Sequence, residues 1–212
     1  MANTTFNPAD KSSQLTLSAG NLTAAANIAN TSGGVRTIAH LAGVKLYFEI
    51  TLTSLGGGIV FPGIASSAAS VSSAPGGAGT AVVNSSSGAI VINNVASGIS
   101  LAAVSAGQII CAAVDLVGQL IWFRKTATGN WNNNVSNNPA TGVGGISISV
   151  LFGSADAYGY SAFQLVANGT ALTANFGDSA FAGVVPSGYI AGFPTVAPPV
   201  TPAQSIRAMI LA

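Results

Sequence analysis

Residues 107–125 read GQIICAAVDLVGQLIWFRK, and this stretch decides the fold class. Positions 108–115 form an apolar run that ends in Asp115, 116–118 contain a glycine, and 119–125 are again mostly apolar before two basic residues. Two strand-length apolar runs joined by a short Gly-containing segment predict a β-hairpin. Because the first run is apolar at nearly every position, we expect it to be buried on both faces, in the middle of a sandwich.

Alternating apolar and polar residues continue on both sides of this hairpin. Segments 45–53, 145–152 and 170–176 alternate with period two, which predicts half-buried strands, and in 145–152 the inward positions are Ile146, Ile148 and Val150. Shorter strand candidates are 14–17, 58–65, 89–93, 99–104 and 162–166. The full inward set is predicted to include Leu46, Phe48, Ile50, Ile110, Val114, Leu120, Trp122, Ile146, Ile148 and Phe176.

The segments between these strands are short and rich in Gly and Ser, and none carries a convincing 3.6-residue stripe. Many short strands with frequent turns predict an all-β, antiparallel, two-sheet β-sandwich over residues 1–193. The Ala-rich piece 22–29 predicts one or two helical turns at most, because Asn27 and nearby glycines disfavour a helix.

The charge of the chain is low in amount and scattered in position. Charged residues make up 5% of the 212 residues, and the net charge is +1. So little repulsion between copies suits a protein that is packed against neighbours, and it predicts a homo-oligomer or a multi-copy assembly. Only Arg124 and Lys125 are adjacent basic residues, so the basic stripe that nucleic-acid binding needs is absent and we expect no nucleic-acid partner.

The residues that catalysis needs are sparse. His40 is the single histidine and is expected to be a satisfied loop or edge residue, while Cys111, inside the apolar run, is expected to be a small buried hydrophobe. The five carboxylates lie far apart; Asp115 and Asp178 sit beside predicted turns, where Asp commonly accepts backbone amides. We therefore predict no enzyme activity, no metal site and no cofactor; a hydrolase using Glu49 or Asp178 is the least favoured alternative.

The sequence indicates neither a secretory signal nor a membrane-spanning segment. The first residues have no basic n-region followed by an apolar h-region, so they do not resemble a secretory signal. The most apolar long segment, 99–117, is interrupted by Gly107, Gln108 and Asp115, so we expect no membrane insertion.

Residues 107–125 also resemble the central hairpin of the SPRY family, in which a Gly-Asp-x-Ile-Gly-like entry and an apolar run ending in Asp precede an Ile/Leu-Trp-Phe strand with basic residues after it. Further motifs occur in the family's order: Leu46-Tyr47-Phe48-Glu49-Ile50 is similar to Trp-Tyr-Phe-Glu-Val, Gly63-Ile64-Ala65 to a Gly-Ile/Val-Ala strand end, Ala174-Asn175-Phe176-Gly177 to Asn-Phe-Gly, and Pro186-Ser187-Gly188-Tyr189 to Pro-x-Gly-Phe. The departures are Gln108 for Asp, Leu46 for Trp, and a Ser/Ala/Gly-rich stretch at 66–87.

Three segments resemble the versions found in phage and prophage structural genes. They are Phe6-Asn7-Pro8-Ala9-Asp10-Lys11, Gly129-Asn130-Trp131 and Asn138-Pro139-Ala140-Thr141-Gly142. The resemblance implies a concanavalin-like jelly roll of two packed sheets that is not catalytic and binds a partner through loops at one edge. SPRY modules share a fold but not a ligand.

The leading functional prediction is a bacteriophage virion component, a head decoration, spike or tail-associated protein acting through protein–protein or protein–glycan contacts. Its partners would be other virion proteins or sister copies, and a host surface glycan or protein. The alternative is a carbohydrate-binding module that is secreted or on the bacterial cell surface. The predicted contact loops are 63–79, with Pro75, and 129–141, with Trp131, Asn132, Asn133 and Asn134. Trp131 is either an exposed anchor at a loop tip or a cap folded back on the sandwich.

The composition changes after Phe193. Four prolines follow within nine residues and keep the chain extended, which predicts a Pro-rich C-terminal arm over 194–212. Beyond them Ile206, Met209, Ile210 and Leu211 offer apolar side chains, and we expect these to dock on a sister copy or another assembly component; a frayed terminus is the alternative.

Overall fold

The computed structural model describes residues 2–29, 31–72, 77–151, 157–166 and 168–195, and the description below refers to these. The strands are β1 (Phe6–Lys11), β2 (Leu15–Ser18), β3 (Thr23–Ala26), β4 (Thr31–Leu41), β5 (Lys45–Ser54), β6 (Ile59–Ala65), β7 (Thr80–Val83), β8 (Ala89–Ile92), β9 (Val95–Ser100), β10 (Ile109–Asp115), β11 (Leu120–Lys125), β12 (Ile146–Ser147), β13 (Ala157–Val166), β14 (Ala171–Asn175) and β15 (Ile190–Ala191). Three short 3₁₀ helices cover Trp131–Asn133, Pro139–Thr141 and Ser149–Leu151. No helix within the described ranges has the length and hydropathy to cross a membrane.

Two sheets contain all of these strands. The first sheet has the order β1-β4-β13-β6-β7-β8-β9, and the second has the order β12-β11-β10-β5-β14-β3-β2, with β15 added in parallel to β5. Every other pairing is antiparallel. One continuous apolar core, with Val35 and Ile64 from the first sheet and Phe48 and Val114 from the second, lies between them. The predicted antiparallel β-sandwich is therefore confirmed.

The predicted hairpin is present as β10 and β11. The register pairs Ala113 with Trp122 and Asp115 with Leu120. The Asp115 carboxylate accepts the amides of Val117 and Gly118 at 3.0 and 2.7 Å, which closes the turn, and it pairs with Lys45 at 2.8 Å. The predicted turn role of Asp115 is confirmed, and β10 is buried on both faces as expected.

The inward set is confirmed on β5, β10 and β12 and at Ile148 and Phe176, and it is wrong on β11. Leu46, Phe48, Ile50, Ile110, Val114, Ile148 and Phe176 are in the core, and half-buried Ile146 packs against it. On β11 the core residues are Ile121 and Phe123, whereas Trp122 and Leu120 belong to a second cluster on the outer face of the sheet. Because β11 is buried on both faces, its sequence has no polar alternation from which the inward phase can be read.

Some predicted elements are shorter, shifted or of another type. The expected strand at 145–152 keeps only the two residues of β12 before a 3₁₀ helix, in which Val150 is exposed and Leu151 is buried. The piece 22–29 forms β3 and not a helical turn, because β2 and β14 pair with it on both sides. Of the candidate at 99–104 only residues 99 and 100 are in a strand: they end β9, which begins at Val95 after an Asn93-Asn94 turn with both φ values positive, and 101–104 are irregular.

The two ends of the described chain lie together. The amide of Thr4 donates to the Phe193 carbonyl at 2.8 Å, and the amide of Thr195 donates to the Ala2 carbonyl at 3.1 Å. Asn3 and Pro194 form an isolated antiparallel β-bridge between them. The first two residues of the predicted arm thus pair with the N-terminal segment. The four apolar arm residues, Ile206, Met209, Ile210 and Leu211, and the loop residue Pro75 lie outside the described residues.

Candidate functional site

The outer face of the second sheet is covered by the loop segments 126–145 and 178–189. Their side chains and those of the sheet form an apolar layer, called here the outer cluster, of Tyr47, Cys111, Ala113, Trp122, Trp131 and Tyr189, with Phe181 and Val185 packed against it. Trp122 is fully buried, and its indole Nε1 donates to the Val143 carbonyl at 2.8 Å. The cluster explains why β10 and β11 are apolar on both faces, and why the middle of β5 is buried on both.

Glu49 is the carboxylate that fastens the 178–189 segment to this sheet. It is buried, and it accepts the Tyr47 hydroxyl at 2.5 Å and the amides of Gly183 and Ala182 at 2.8 and 3.0 Å. Gly183 can approach because it has no Cβ; an added one would lie 2.6 Å from the Tyr47 hydroxyl. Burial holds the pKa of Tyr47 well above its ordinary value. A carboxylate with both oxygens occupied and no exposure is not placed to act as an acid or base on a substrate.

Cys111 and Arg124 face each other across the hairpin beside Glu49. The Cys111 thiol is buried near the Thr126 carbonyl, 3.7 Å away, and burial raises the pKa of this thiol, so it stays protonated and unreactive. The prediction of a small buried hydrophobe is confirmed. Arg124 is 92% buried; it donates to the Val184 carbonyl at 3.1 Å, while its Nε has no hydrogen-bond partner among the described residues.

Trp131 lies inside the outer cluster. Its ring is 9% exposed, meets Tyr47 edge-on at a centroid distance of 6.4 Å, and has the Arg124 guanidinium 4.3 Å from its centroid. Of the two alternatives left by the sequence, this is the ring folded back as a cap, and it is not an exposed loop-tip anchor. Sequence could not separate them, because the edge-on contact with Tyr47 comes from β5, which is distant along the chain. Partner contact by the loop itself stays a prediction.

Asn132 is buried and completes the edge of β11. Its Oδ1 accepts the Phe123 amide at 2.9 Å, and its Nδ2 donates to the carbonyls of Gly144 and Ile121 at 2.8 and 3.3 Å. The side chain therefore does what a neighbouring strand would do beyond the short β12. Its backbone is left-handed, with φ of 47°, and so is that of Asn133, with φ of 56°. Asn132 was predicted as a contact residue, and its amide is in fact taken up inside the fold.

An open groove lies beside this turn, between β9 and β12. Its volume is about 520 Å³, and it is lined by residues 98–100, 132–134, Asn137 and 144–146. A smaller depression of about 190 Å³ continues from it past Asn133 towards Lys125. Asn133 and Asn134 are exposed here, as their predicted contact role requires. No sequence signal marked the β9 side of this groove, since residues 98–100 are ordinary strand residues.

The other predicted loop, 63–79, is held against the first sheet where it is described. Arg36 donates to the carbonyls of Ser66 and Ser67 at 3.1 and 2.9 Å, and the amide of Gly79 donates to Asn93 at 2.8 Å. Arg36 also forms a two-bond ion pair with Asp10, at 2.7 and 3.1 Å. This network orders the loop next to β4.

The remaining candidate catalytic residues are scattered. His40 is exposed and lies within β4, not in a loop or an edge strand, because β1 and β13 pair with β4 on both sides; its ring stacks on Tyr158 at 5.0 Å. Asp178 is exposed whereas Glu49 is buried, so the two carboxylates do not share one solvent-filled site. Within the described ranges no three His, Cys, Asp or Glu residues are grouped so that they could hold a metal ion.

Comparison with known proteins shows the fold. No family model and no curated protein matches the chain. Among solved structures, the chain is similar to the SPRY domain of human HERC1, with a TM-score of 0.62 and 12% identity over 80% of this chain and 96% of that chain. It is also similar to the TRIM65 PSpry domain, with a TM-score of 0.55 and 16% identity over 82% of this chain and 92% of that chain. The fold is SPRY-like, as the sequence motifs implied.

Proposed function

We propose that this chain is a non-enzymatic binding module of a bacteriophage particle, a head decoration, spike or tail-associated component that acts through protein–protein or protein–glycan contacts. The binding-module part rests on one observation: the carboxylates and the thiol that could react have structural roles. Asp10, Glu49 and Asp115 are engaged in bonds that hold strands and loops together and Cys111 is buried, whereas exposed neutral amides face the open groove.

The particle part of the proposal is supported by sequence. The segments 6–11, 129–131 and 138–142 resemble the versions found in phage structural genes, and the chain has few charges to keep copies apart. In a particle, many copies lie side by side, and a neutral hydrogen-bonding surface favours such packing. The proposed location is accordingly the virion, with other virion proteins and sister copies as partners and a host surface molecule as a further one.

The C-terminal arm belongs to the same proposal. Pro194 and Thr195 pair with the N-terminal segment, and in this proposal Ile206, Met209, Ile210 and Leu211 are buried on a sister copy or another particle protein. Burial of apolar surface stabilises such contacts by about 25 cal/mol per Å². The loops around residues 63–79 and 129–141 would then remain for the outward-facing partner.

Purified particles provide the test of this function. Mass spectrometry of virions from the source phage or induced prophage should find the chain in a fixed ratio to the major capsid or tail protein. Loss of the chain from particles after washing, or its absence from them, would refute the particle role.

The alternative is a secreted or cell-surface carbohydrate-binding module of a bacterium. The uncharged lining of the groove supports this alternative, because neutral sugars need no charged partner. It differs from the particle component in its behaviour in solution. A free module of this kind is expected to be a monomer that binds glycans without any particle, and to be found in the culture medium or on the bacterial surface.

A further inference from the structure

We propose that the groove between β9 and the 131–134 turn binds a neutral oligosaccharide, with Asn133 as the central contact. This inference rests on the binding-module proposal and names the ligand class of one of its loops. It is carried by three features: a turn fixed to the sheet by buried side chains, a lining without free charge, and sheet edges that are poorly suited to an added strand.

The backbone at the groove holds the amide of Asn133 in place. Asn132 and Asn133 are consecutive residues in the left-handed region, which Asn tolerates and which Asn93 and Asn94 also adopt in the β8–β9 turn. What distinguishes the turn at the groove is that the three hydrogen bonds of Asn132 and the buried ring of Trp131 fix it to the sheet. A turn fixed in this way is ordered before a ligand arrives. Asn133 is thus presented at the junction of the groove and the smaller depression.

The lining matches an uncharged polyhydroxylated ligand. The larger groove has no Asp, Glu, Lys or Arg among its lining residues. Lys125, in the smaller depression, donates its ammonium to the Ala103 carbonyl at 3.0 Å. An Asn side chain offers both a donor and an acceptor, as a sugar hydroxyl does. Ile99 and Ile146 are half-buried at the two walls and provide apolar surface for the C–H face of a sugar ring.

An extended peptide is disfavoured because neither sheet edge offers a run of free backbone groups. Within β9, Gly98 departs from the extended conformation with φ of 80°, and the amide of Ile99 donates to the Ser97 hydroxyl. β12 has two residues, and the continuing edge of β11 is occupied by Asn132. Strand addition needs successive unpaired amides and carbonyls along one edge. Recognition here therefore falls to side-chain amides.

Glycan binding by the full chain tests the inference. The protein is applied to an array of neutral glycans and titrated in solution with maltohexaose, cellohexaose and N-acetylchitohexaose; a heparin-derived hexasaccharide and a peptide of residues 203–212 serve as charged and peptide probes. We expect at least one neutral glycan to bind, with an affinity that is unchanged between low and high salt, because no charged group contributes.

Two variants assign the binding to the groove. Asn133→Gly removes the amide but accepts the left-handed backbone, so it should fold and should weaken binding about tenfold or more, the value of one or two lost hydrogen bonds. Asn27→Ala, an exposed Asn beyond β3 on the opposite side of the second sheet, should bind like wild type. Binding of no neutral glycan, wild-type affinity of Asn133→Gly, or binding of the peptide in the groove would overturn the inference. Particle mass spectrometry is unaffected by these outcomes and judges the proposed function separately.

Discussion

Trp122 has the largest of the fully buried side chains in the described structure, yet it points away from the main core. Its ring lies between the sheet and the covering segment, and Gly145 approaches so closely that a Cβ there would be 2.5 Å from the ring. Period-two alternation placed Leu46 and Phe48 correctly, because β5 has polar residues at the start and end of its run that mark its phase. No such mark exists in β11, so the sequence could predict that Trp122 is buried but not in which layer.

Replacing Trp122 with Ala should lower the free energy of unfolding by roughly 3–5 kcal/mol, the usual cost of a large buried ring replaced by Ala. The loss combines an unfilled cavity in the outer cluster with the missing bond to the Val143 carbonyl. Urea unfolding measures it. Trp122→Phe keeps most of the apolar volume and should lose clearly less. A loss below about 1 kcal/mol for the Ala variant would show that the covering segment does not pack as described.

Because Tyr160 is buried, the free energy of unfolding should depend on pH in the alkaline range. Burial raises the pKa of its hydroxyl to about 12, against about 10 in an unfolded chain. The stability linked to the neutral phenol is complete below pH about 10 and is lost as pH rises towards 12, at about 1.4 kcal/mol per pH unit. Burial raises the pKa values of Tyr47 and Tyr189 as well, and they act in the same direction.

Urea unfolding from pH 8 to 12 should therefore show constant stability at first and a steep decline above pH about 10. Tyr160→Phe cannot ionise, so its decline over the same interval should be shallower by up to about 3 kcal/mol at pH 12. The difference in free energy of unfolding between the variant and wild type at pH 8 gives the cost of the lost hydroxyl, and it is subtracted from the difference at higher pH. If the free energy of unfolding falls with pH at the same rate in the variant and in wild type, the Tyr160 hydroxyl is exposed to solvent and not buried.

At the scale of elements, the backbone groups at one edge of β11 are bonded by the side chain of Asn132, whereas those of most inner strands are bonded by a neighbouring strand. Asn132→Gly keeps the left-handed backbone but leaves the amide of Phe123 without an acceptor in a buried position. We expect a loss of about 2–3 kcal/mol and faster hydrogen exchange at the Phe123 amide. Asn133→Gly is the matched control, because Asn133 is also left-handed but no bond from its side chain to β11 is present in the described structure. If both variants exchange alike, the Asn132 amide does not complete the sheet.

The elements that sequence could predict are those whose own residues carry the signal. The β10–β11 hairpin and β5 have long apolar or alternating runs, and they are where predicted. β3 was missed because its Ala residues fit a helix as well as a strand, and only pairing with β2 and β14 decides between them. In the same way, the loop at 129–141 was predicted to contact a partner, and that stays a prediction; the inward roles of Trp131 and Asn132 come from tertiary contacts that the sequence does not show.

At the scale of the whole molecule, the order of the motifs predicted the SPRY-like sandwich although each motif alone is short. Three of the motifs lie in the second sheet, 46–50 on β5, 107–125 on β10 and β11, and 174–177 at the end of β14 next to β5, while 63–65 ends β6 in the first sheet. Ligand identity is not carried in this way, because the groove joins residues 98–100 to residues 132–146 from the edges of two different sheets. The fold is thus readable from local patterns and the candidate site is not.

Truncation after Thr195 tests the arm at this scale. Pro194 and Thr195 should be kept, because they pair with Asn3 and Ala2 and their loss would disturb the N-terminal segment. Removing residues 196–212 should leave the melting temperature unchanged, since the sandwich core ends at Phe193, but should reduce incorporation into particles or oligomers. A full-length chain with Ile206, Met209, Ile210 and Leu211 changed to Ser should show the same defect, because the apolar contact and not the length is what the arm would provide. Incorporation is measured by mass spectrometry of complemented particles and by light scattering of the free protein; normal values for both variants would refute the arm and leave these residues as a plain terminus.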